Sequence, residues 1–256
     1  MPPAPIVMIH GAFCGGWVFE DFAEPFRAAG HKVLTPDLPG HGPKDAPDSV
    51  AGRSMGEYAD AIAKLIRAQP RPPLVVGHSM GGLVALMAAS RAPTAGVIGL
   101  APSSPWGVTP STVEEGLSAV ALYALGAYWA QSIEPLYAAA RRYNLDRLPS
   151  AAAKSTFARM RPESGRALFE VLNWWLDPCM TTMIHPSRIG APMLAISGDR
   201  DVINPPSTVA DAARRRGAEM RTMPGMSHWL PAEPGWRNVA DLCLDWIGGR
   251  QRQAAA

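Results

Sequence analysis

The sequence predicts an α/β protein built on a mostly parallel, doubly wound sheet. Between residues 6 and 100, short apolar runs alternate with stretches of helical periodicity in the order β-α-β-α-β-α-β. Strands that alternate with helices pair in parallel through right-handed crossovers, with helices on both faces. The second observation is Leu74-Val75-Val76-Gly77-His78-Ser79-Met80-Gly81-Gly82, where a buried strand runs into the apolar helix Leu83–Ser90. Gly77-x-Ser79-x-Gly81 has to turn one into the other within about one residue. Glycines two positions before and after the serine remove the Cβ atoms that would clash, so Ser79 Oγ is pushed out at the carboxyl end of the strand. Free N–H groups and the positive dipole end of the helix fall at the same place, and the Met80 amide is placed to donate to an oxyanion.

The elements follow in order. Ile6–Ile9 is a strand that ends on His10-Gly11-Ala12-Phe13-Cys14-Gly15-Gly16-Trp17, a loop whose glycines let backbone approach a ligand. Val18, Phe22, Phe26 and Ala29 recur at helical spacing over Trp17–Ala29, and Gly30 closes that helix. Lys32–Thr35 is the second strand, followed by Asp37-Leu38-Pro39-Gly40-His41-Gly42 and a polar loop to about Arg53. Ser54 and Glu57 form a capping box before a helix that gathers Tyr58, Ile62, Leu65 and Ile66 on one face. Val97–Leu100 is a further strand. Residues 103–188 then show helical periodicity without a strand, as four helices over Thr112–Ala130, Pro135–Tyr143, Ser150–Arg161 and Glu163–Leu176. Met193–Ile196 returns as a strand, Pro206–Arg215 as a helix and Glu219–Thr222 as a strand. A last helix over Pro234–Ile247 stops at Gly248-Gly249. The resulting organisation is a core of residues 1–102 and 189–249, a helical cap of 103–188 and a flexible tail of 250–256.

Bulk properties narrow the classes. The chain has 256 residues, 47% hydrophobic and 18% charged, enough for one large core. A net charge of +2 without a block of like charge argues against a nucleic-acid surface; Arg214-Arg215-Arg216 falls near a helix end, where cations are favoured. The opening Met-Pro-Pro-Ala-Pro carries no charged leader or apolar signal core, and no window nears the roughly 18 apolar residues of a membrane span. A soluble, cytoplasmic protein without a membrane partner is expected. Cys14, Cys179 and Cys243 lack disulfide or zinc spacing, and no HExxH is present, so no metal is expected.

Each chemistry-bearing residue sits just beyond an expected strand, at the edge where open parallel sheets bind ligands. With serine, acid and histidine in that chain order, the sequence resembles the α/β-hydrolase fold family over essentially its whole length. The pieces that carry the resemblance are His10-Gly11, Asp37-Leu38-Pro39-Gly40-His41-Gly42, Gly77-His78-Ser79-Met80-Gly81-Gly82, Gly198-x-x-Asp201 and Gly225-x-x-His228. HGAFCGGW and AAGHKVLTPDLPGHG look most like the small plant-type methylesterase and hydroxynitrile-lyase branch and its bacterial relatives. The resemblance implies Ser79 as nucleophile, a role the elbow also supports on its own, since an alcohol needs a base to take its proton. Among six histidines, only His228 combines a glycine-bearing loop, a place after the last strand and an acid on the preceding one. His10 and His78 read as loop-holding, His31 and His41 as lacking a partner, and His185 as a residue at the end of the cap. Asp201 fits the family's Gly-x-x-Asp spacing, with Asp199 as its competitor. Met80 N–H is the first oxyanion donor; the resemblance implies Ala12 N–H as the second, with Phe13 as fallback. The lyases of this branch carry Thr where this chain has Gly11, which favours an esterase.

The expectation is a serine esterase acting on a small-molecule, ester-like substrate without a cofactor. Same-fold lactonase, C–C hydrolase or perhydrolase chemistry is the alternative within catalysis, and a hydrolase-like ligand-binding receptor the alternative outside it. Cap aromatics predict an apolar pocket, with Phe13, Trp106, Trp175 and Trp229 as candidate lining residues.

Overall fold

In a computed structural model, which describes residues 3–255, the chain builds its sheet from short strands, buried at the centre and partly exposed at the two edges. The first half contributes β1 (Ile6–Ile9), α1 (Glu24–Ala28), β2 (Val33–Leu34), α2 (Met55–Arg67), β3 (Leu74–His78), α3 (Met80–Ala89) and β4 (Gly96–Leu100). The capping box at α2 is formed as the sequence requires: Ser54 Oγ accepts from Glu57 N–H at 3.1 Å, and Glu57 Oε2 accepts from Ser54 N–H at 2.9 Å. The region expected as one helix over Trp17–Ala29 is instead a 3₁₀ turn at Gly16–Phe19 and the short α1. Pro25 sits in the first turn of α1, where its missing N–H costs no helical bond.

The insertion departs further from its expectation. Its helices are α4 (Val113–Ala121), α5 (Tyr137–Ala139), α6 (Ser150–Phe157) and α7 (Gly165–Leu172), each shorter than the periodicity suggests. Between them β5 (Ser132–Ile133) and β6 (Glu163–Ser164) pair antiparallel, so the segment is not strand-free. Gly126, at φ 70°, breaks the run expected over Thr112–Ala130. Pro162, which cannot donate within a helix, precedes β6. The chain then adds β7 (Met193–Gly198), α8 (Pro206–Arg214), β8 (Glu219–Met223) and α9 (Trp236–Ala255). The last helix does not stop at Gly248-Gly249 but runs through them; residue 256 of the expected tail lies outside the described residues. Among the described residues, no helix is long and apolar enough to cross a membrane.

Six strands form one parallel sheet in the order β2-β1-β3-β4-β7-β8. Ile6, Met8, Leu74, Val76, Ile98 and Leu100 point to one face and pack with Phe26 of α1 and Val239, Cys243 and Ile247 of α9. Val7, Ile9, Val75 and Val97 point to the other and meet α2 and α3 through Tyr58, Ile62, Leu83 and Met87. Burying each such aliphatic side chain is worth about 1.5–3 kcal/mol, and a one-residue slip would exchange the faces, so the register is fixed. The chain steps outward from β1 to β2 and returns to β3 on the other side of β1. At that reversal the carboxyl ends of β1 and β3 lie side by side, the place where parallel sheets form a crevice.

Candidate active site

Ser79 stands between β3 and α3 with φ 54° and ψ −124°, a left-handed conformation that L-residues rarely adopt and that costs on the order of 1–3 kcal/mol. The strain is held by packing. A Cβ at Gly77 would come 2.2 Å from the Gly81 carbonyl oxygen, and one at Gly81 would come 2.3 Å from that of Ile9, so no larger residue fits on either side of the turn. Ser79 N–H donates to Leu100 O at 2.9 Å, while Ser79 O accepts from Gly82 N–H and Ser103 N–H. Ser79 itself stays half-buried.

The residues Ser79, His228 and Asp201 come together in one hydrogen-bonded row. His228 Nε2 lies 2.9 Å from Ser79 Oγ, and His228 Nδ1 lies 2.8 Å from Asp201 Oδ2. A carboxylate can only accept, so Nδ1 carries the imidazole proton and Nε2 presents its lone pair to the serine hydroxyl. Asp201 Oδ1 accepts from the Ile203 and Asn204 amides at 2.9 and 3.0 Å, which fixes the carboxylate plane. Asp199 instead accepts from Gly225 N–H at 2.8 Å on the surface and has no part in the row. His78 supports the same loop: its Nε2–H donates to His228 O at 2.8 Å, and burial, then the nearby His228, pull its pKa down to about 3, so it is neutral. Trp229 packs edge-on against His78 and at a tilt against Trp17.

Facing the serine is the loop after β1. Among the described residues, no backbone acceptor takes up the Met80 or Ala12 amide. The Phe13 amide donates to Glu163 Oε2 at 3.3 Å. The loop is held at both ends. Leu38 N–H donates to His10 Nε2 at 2.9 Å, and Gly16 N–H donates to Asp37 Oδ1 at 2.7 Å. His10 is neutral as well, its pKa lowered to about 3 by burial and then by the neighbouring His41. A Cβ at Gly11 would come 3.0 Å from Ser79 Cβ and 3.2 Å from His78 Nδ1, so a side chain there would crowd the elbow.

A buried polar cluster lies under this loop, assembled from residues too far apart in the chain to form a local motif. Glu163, on β6 of the insertion, is fully buried. Its Oε2 meets His41 Nε2 at 3.0 Å; its Oε1 accepts from Tyr58 O–H and from its neighbour Ser164 N–H, both at 2.8 Å. His41, read from the sequence as lacking a partner, is therefore paired. Burial alone would lower the His41 pKa, but the charge and hydrogen bond of Glu163 outweigh it and hold the imidazole above its ordinary value. Burial likewise opposes ionisation of Glu163, and His41 with the surrounding donors holds its pKa below the usual carboxylate range.

The remaining candidate residues separate. Phe13 and Ala12 pack against an apolar cluster of the insertion formed by Tyr128, Ile133 and Leu168 with Leu122 and Phe169 at its edge. Trp106 stacks edge-on with Trp174, which stacks on Trp175; Trp175 is 47% exposed. Trp229 is 1% exposed and packs within the main core. His185 is exposed and bonds Ser187. Cys14 is buried, and burial pushes its thiol well above the ordinary range, which suits a packing role.

The chain matches the alpha/beta hydrolase family over residues 6–242. It is 32% identical over 215 residues to the pimeloyl-[acyl-carrier protein] methyl ester esterase of Chromobacterium violaceum, covering 78% of this chain and 77% of that protein. It is 28% identical to the magnesium-chelatase 30 kDa subunit of Rhodobacter capsulatus, over 95% of this chain and 87% of the other. The Arabidopsis methylesterase MES16 has a similar fold, with a TM-score of 0.74 at 18% identity, covering 96% of this chain and 99% of that one. With the family matched over residues 6–242, the chain belongs to the alpha/beta hydrolase family.

Proposed function

We propose that the protein is a serine hydrolase that cleaves a small to medium, largely apolar carboxylic ester through an acyl-enzyme on Ser79. The observation that carries this reading is the row from Asp201 Oδ2 through His228 to Ser79 Oγ, at 2.8 and 2.9 Å, on a strained elbow beside the Met80 and Ala12 amides. His228 Nε2 takes the hydroxyl proton as Oγ attacks the acyl carbonyl, and Asp201 stabilises the imidazolium that forms. The two amides hold the oxyanion. The alcohol leaves with the proton from His228, and a water, activated by the same imidazole, releases the carboxylic acid. Ester-cleaving relatives such as the pimeloyl-[acyl-carrier protein] methyl ester esterase support the reaction class. The apolar cluster of Tyr128, Ile133, Leu168 and Phe169 beside the loop supports an apolar acyl or alcohol group. In this reading the 103–188 segment is a cap over the core, tied to it by Glu20–Arg159 and by Met55 N–H on Glu170. Turnover of p-nitrophenyl esters by the purified wild type, lost in Ser79→Ala, tests the reading; equal turnover in both would refute it.

A further inference from the structure

We infer that Glu163 is a positioning residue that aims the oxyanion-binding amide of Ala12 from within the inserted segment; the inference rests on the reading of Ser79 as nucleophile. Phe13, next to Ala12, takes φ 65°, a left-handed conformation disfavoured for an aromatic residue by about 1–2 kcal/mol. Two residues of the insertion grip it from opposite sides. Phe13 N–H donates to Glu163 Oε2, and Phe13 O accepts from Arg161 N–H at 2.9 Å. The peptides on both sides of Phe13 are thereby oriented, and with them the Ala12 Cα from which the preceding amide, Ala12 N–H, projects without an acceptor among the described residues.

Glu163 is suited to this because it is itself immobilised. It is fully buried and meets Tyr58 of α2, His41 of the loop after β2 and Ser164 as well as Phe13, so every donor but one comes from outside its own strand. His41 in turn packs against His10, which opens the oxyanion loop, with ring centroids 5.0 Å apart. A buried, ionised carboxylate with four partners is expensive to desolvate, and a purely structural clamp between the two parts could be apolar. A charge-assisted acceptor for a backbone amide sets direction as well as distance.

The chemistry of the amide substitution makes the test specific. In Glu163→Gln the shape is kept, but one oxygen becomes NH₂. On the Oε1 side the NH₂ can donate to the Tyr58 hydroxyl but opposes the Ser164 N–H; on the Oε2 side it can donate to His41, which burial keeps neutral once the Glu163 charge is gone, but opposes the Phe13 N–H. In the first placement the Phe13 N–H keeps only an uncharged acceptor, and in the second it faces repulsion, so either one weakens the pull on Phe13. Tyr58→Phe removes one donor and leaves the carboxylate in place, so it acts in the same direction and more weakly.

The experiment measures kcat and KM for p-nitrophenyl butyrate and Ki for an alkyl trifluoromethyl ketone, whose hemiketal oxygen occupies the oxyanion position. Each is normalised to sites titrated with a fluorophosphonate, for wild type, Glu163→Gln and Tyr58→Phe. For Glu163→Gln the expected result is kcat lower by about 10- to 100-fold, since full loss of one oxyanion donor costs about 10²–10³. Ki should rise by a similar factor and KM should change little. Unchanged kcat per titrated site and unchanged Ki, in whichever variant folds, would overturn the proposal even if the melting temperature falls. A wild type whose Ser79 takes no fluorophosphonate would overturn the reading of the site, and this proposal with it.

Discussion

Asp201 Oδ2 lies 2.8 Å from His228 Nδ1, while Asp199, two residues earlier, turns away to cap the Gly225 amide. The two carboxylates therefore differ in what their loss should do. Asp201→Asn keeps the contacts to the Ile203 and Asn204 amides through its remaining oxygen but presents NH₂ to His228, favouring the wrong tautomer. A fall in kcat on the order of 10⁴ is expected, with the fold intact. Asp199→Asn should cost less than about tenfold, being an exposed turn contact whose loss does not reach the row. Matched steady-state kinetics of the two variants decide the matter, and the reverse ranking would move the acid to Asp199.

Gly11 makes a second prediction. With Ser79 Cβ only 3.0 Å from where its Cβ would be, Gly11→Thr must displace the elbow or the loop. Ester turnover should drop by about 10- to 100-fold, the range expected for small misplacement of a reacting group. The wild type should hydrolyse p-nitrophenyl esters and release negligible cyanide from an aromatic cyanohydrin. Cyanide release rivalling ester turnover would contradict the assigned reaction class.

Glu233 should set a pH dependence of stability. Its Oε1 accepts from Ser227 N–H at 2.7 Å, and its Oε2 is buried without a partner among the described residues. Burial, with Asp146 adding to it, pushes its pKa up to about 7 against the Ser227 bond, His228 and Arg147. The unfolded chain loses this proton near 4.5, so between about 4.5 and 7 the folded state binds more protons and stability falls as pH rises. The loss should be on the order of 2 kcal/mol, discounted for partial screening, and complete above about pH 7. Urea unfolding at intervals from pH 4.5 to 8 should show this slope in the wild type and a flatter one in Glu233→Gln. Parallel profiles would remove Glu233 as the cause.

The apolar wall beside Phe13, formed by Leu122, Tyr128, Leu168 and Phe169, predicts a chain-length preference. At about 0.8 kcal/mol per buried CH₂, kcat/KM should climb severalfold per methylene from acetate to butyrate or hexanoate and then fall. A p-nitrophenyl ester series measures it. A flat profile, or a rise continuing to palmitate, would mean that these side chains do not bound the acyl site.

Features written in local spacing were legible before the structure. The serine elbow needed only Gly77, Ser79 and Gly81 in sequence, and the α2 capping box only Ser54 and Glu57. The sheet followed from alternation of short apolar runs with helical periods, and it is parallel throughout its six strands. The insertion was harder, because Ser132–Ile133 becomes a strand only by pairing with Glu163–Ser164 some thirty residues later. Glu163 was invisible for a related reason: its donors Tyr58, His41 and Phe13 are 105, 122 and 150 residues away in the chain. The burial of Trp229 against Trp17 and His78 was not legible, since an aromatic after His228 reads alike whether it faces a pocket or the core.

The most direct test of the account is covalent labelling of the wild-type protein with a fluorophosphonate, followed by peptide mapping and by ester kinetics of Ser79→Ala. One phosphonylated residue, Ser79, is predicted. Loss of turnover approaching 10⁶-fold should accompany the substitution, with little change in melting temperature, because a half-buried Oγ contributes little packing. Labelling at a different serine, or ester turnover that survives Ser79→Ala, would contradict the central claim.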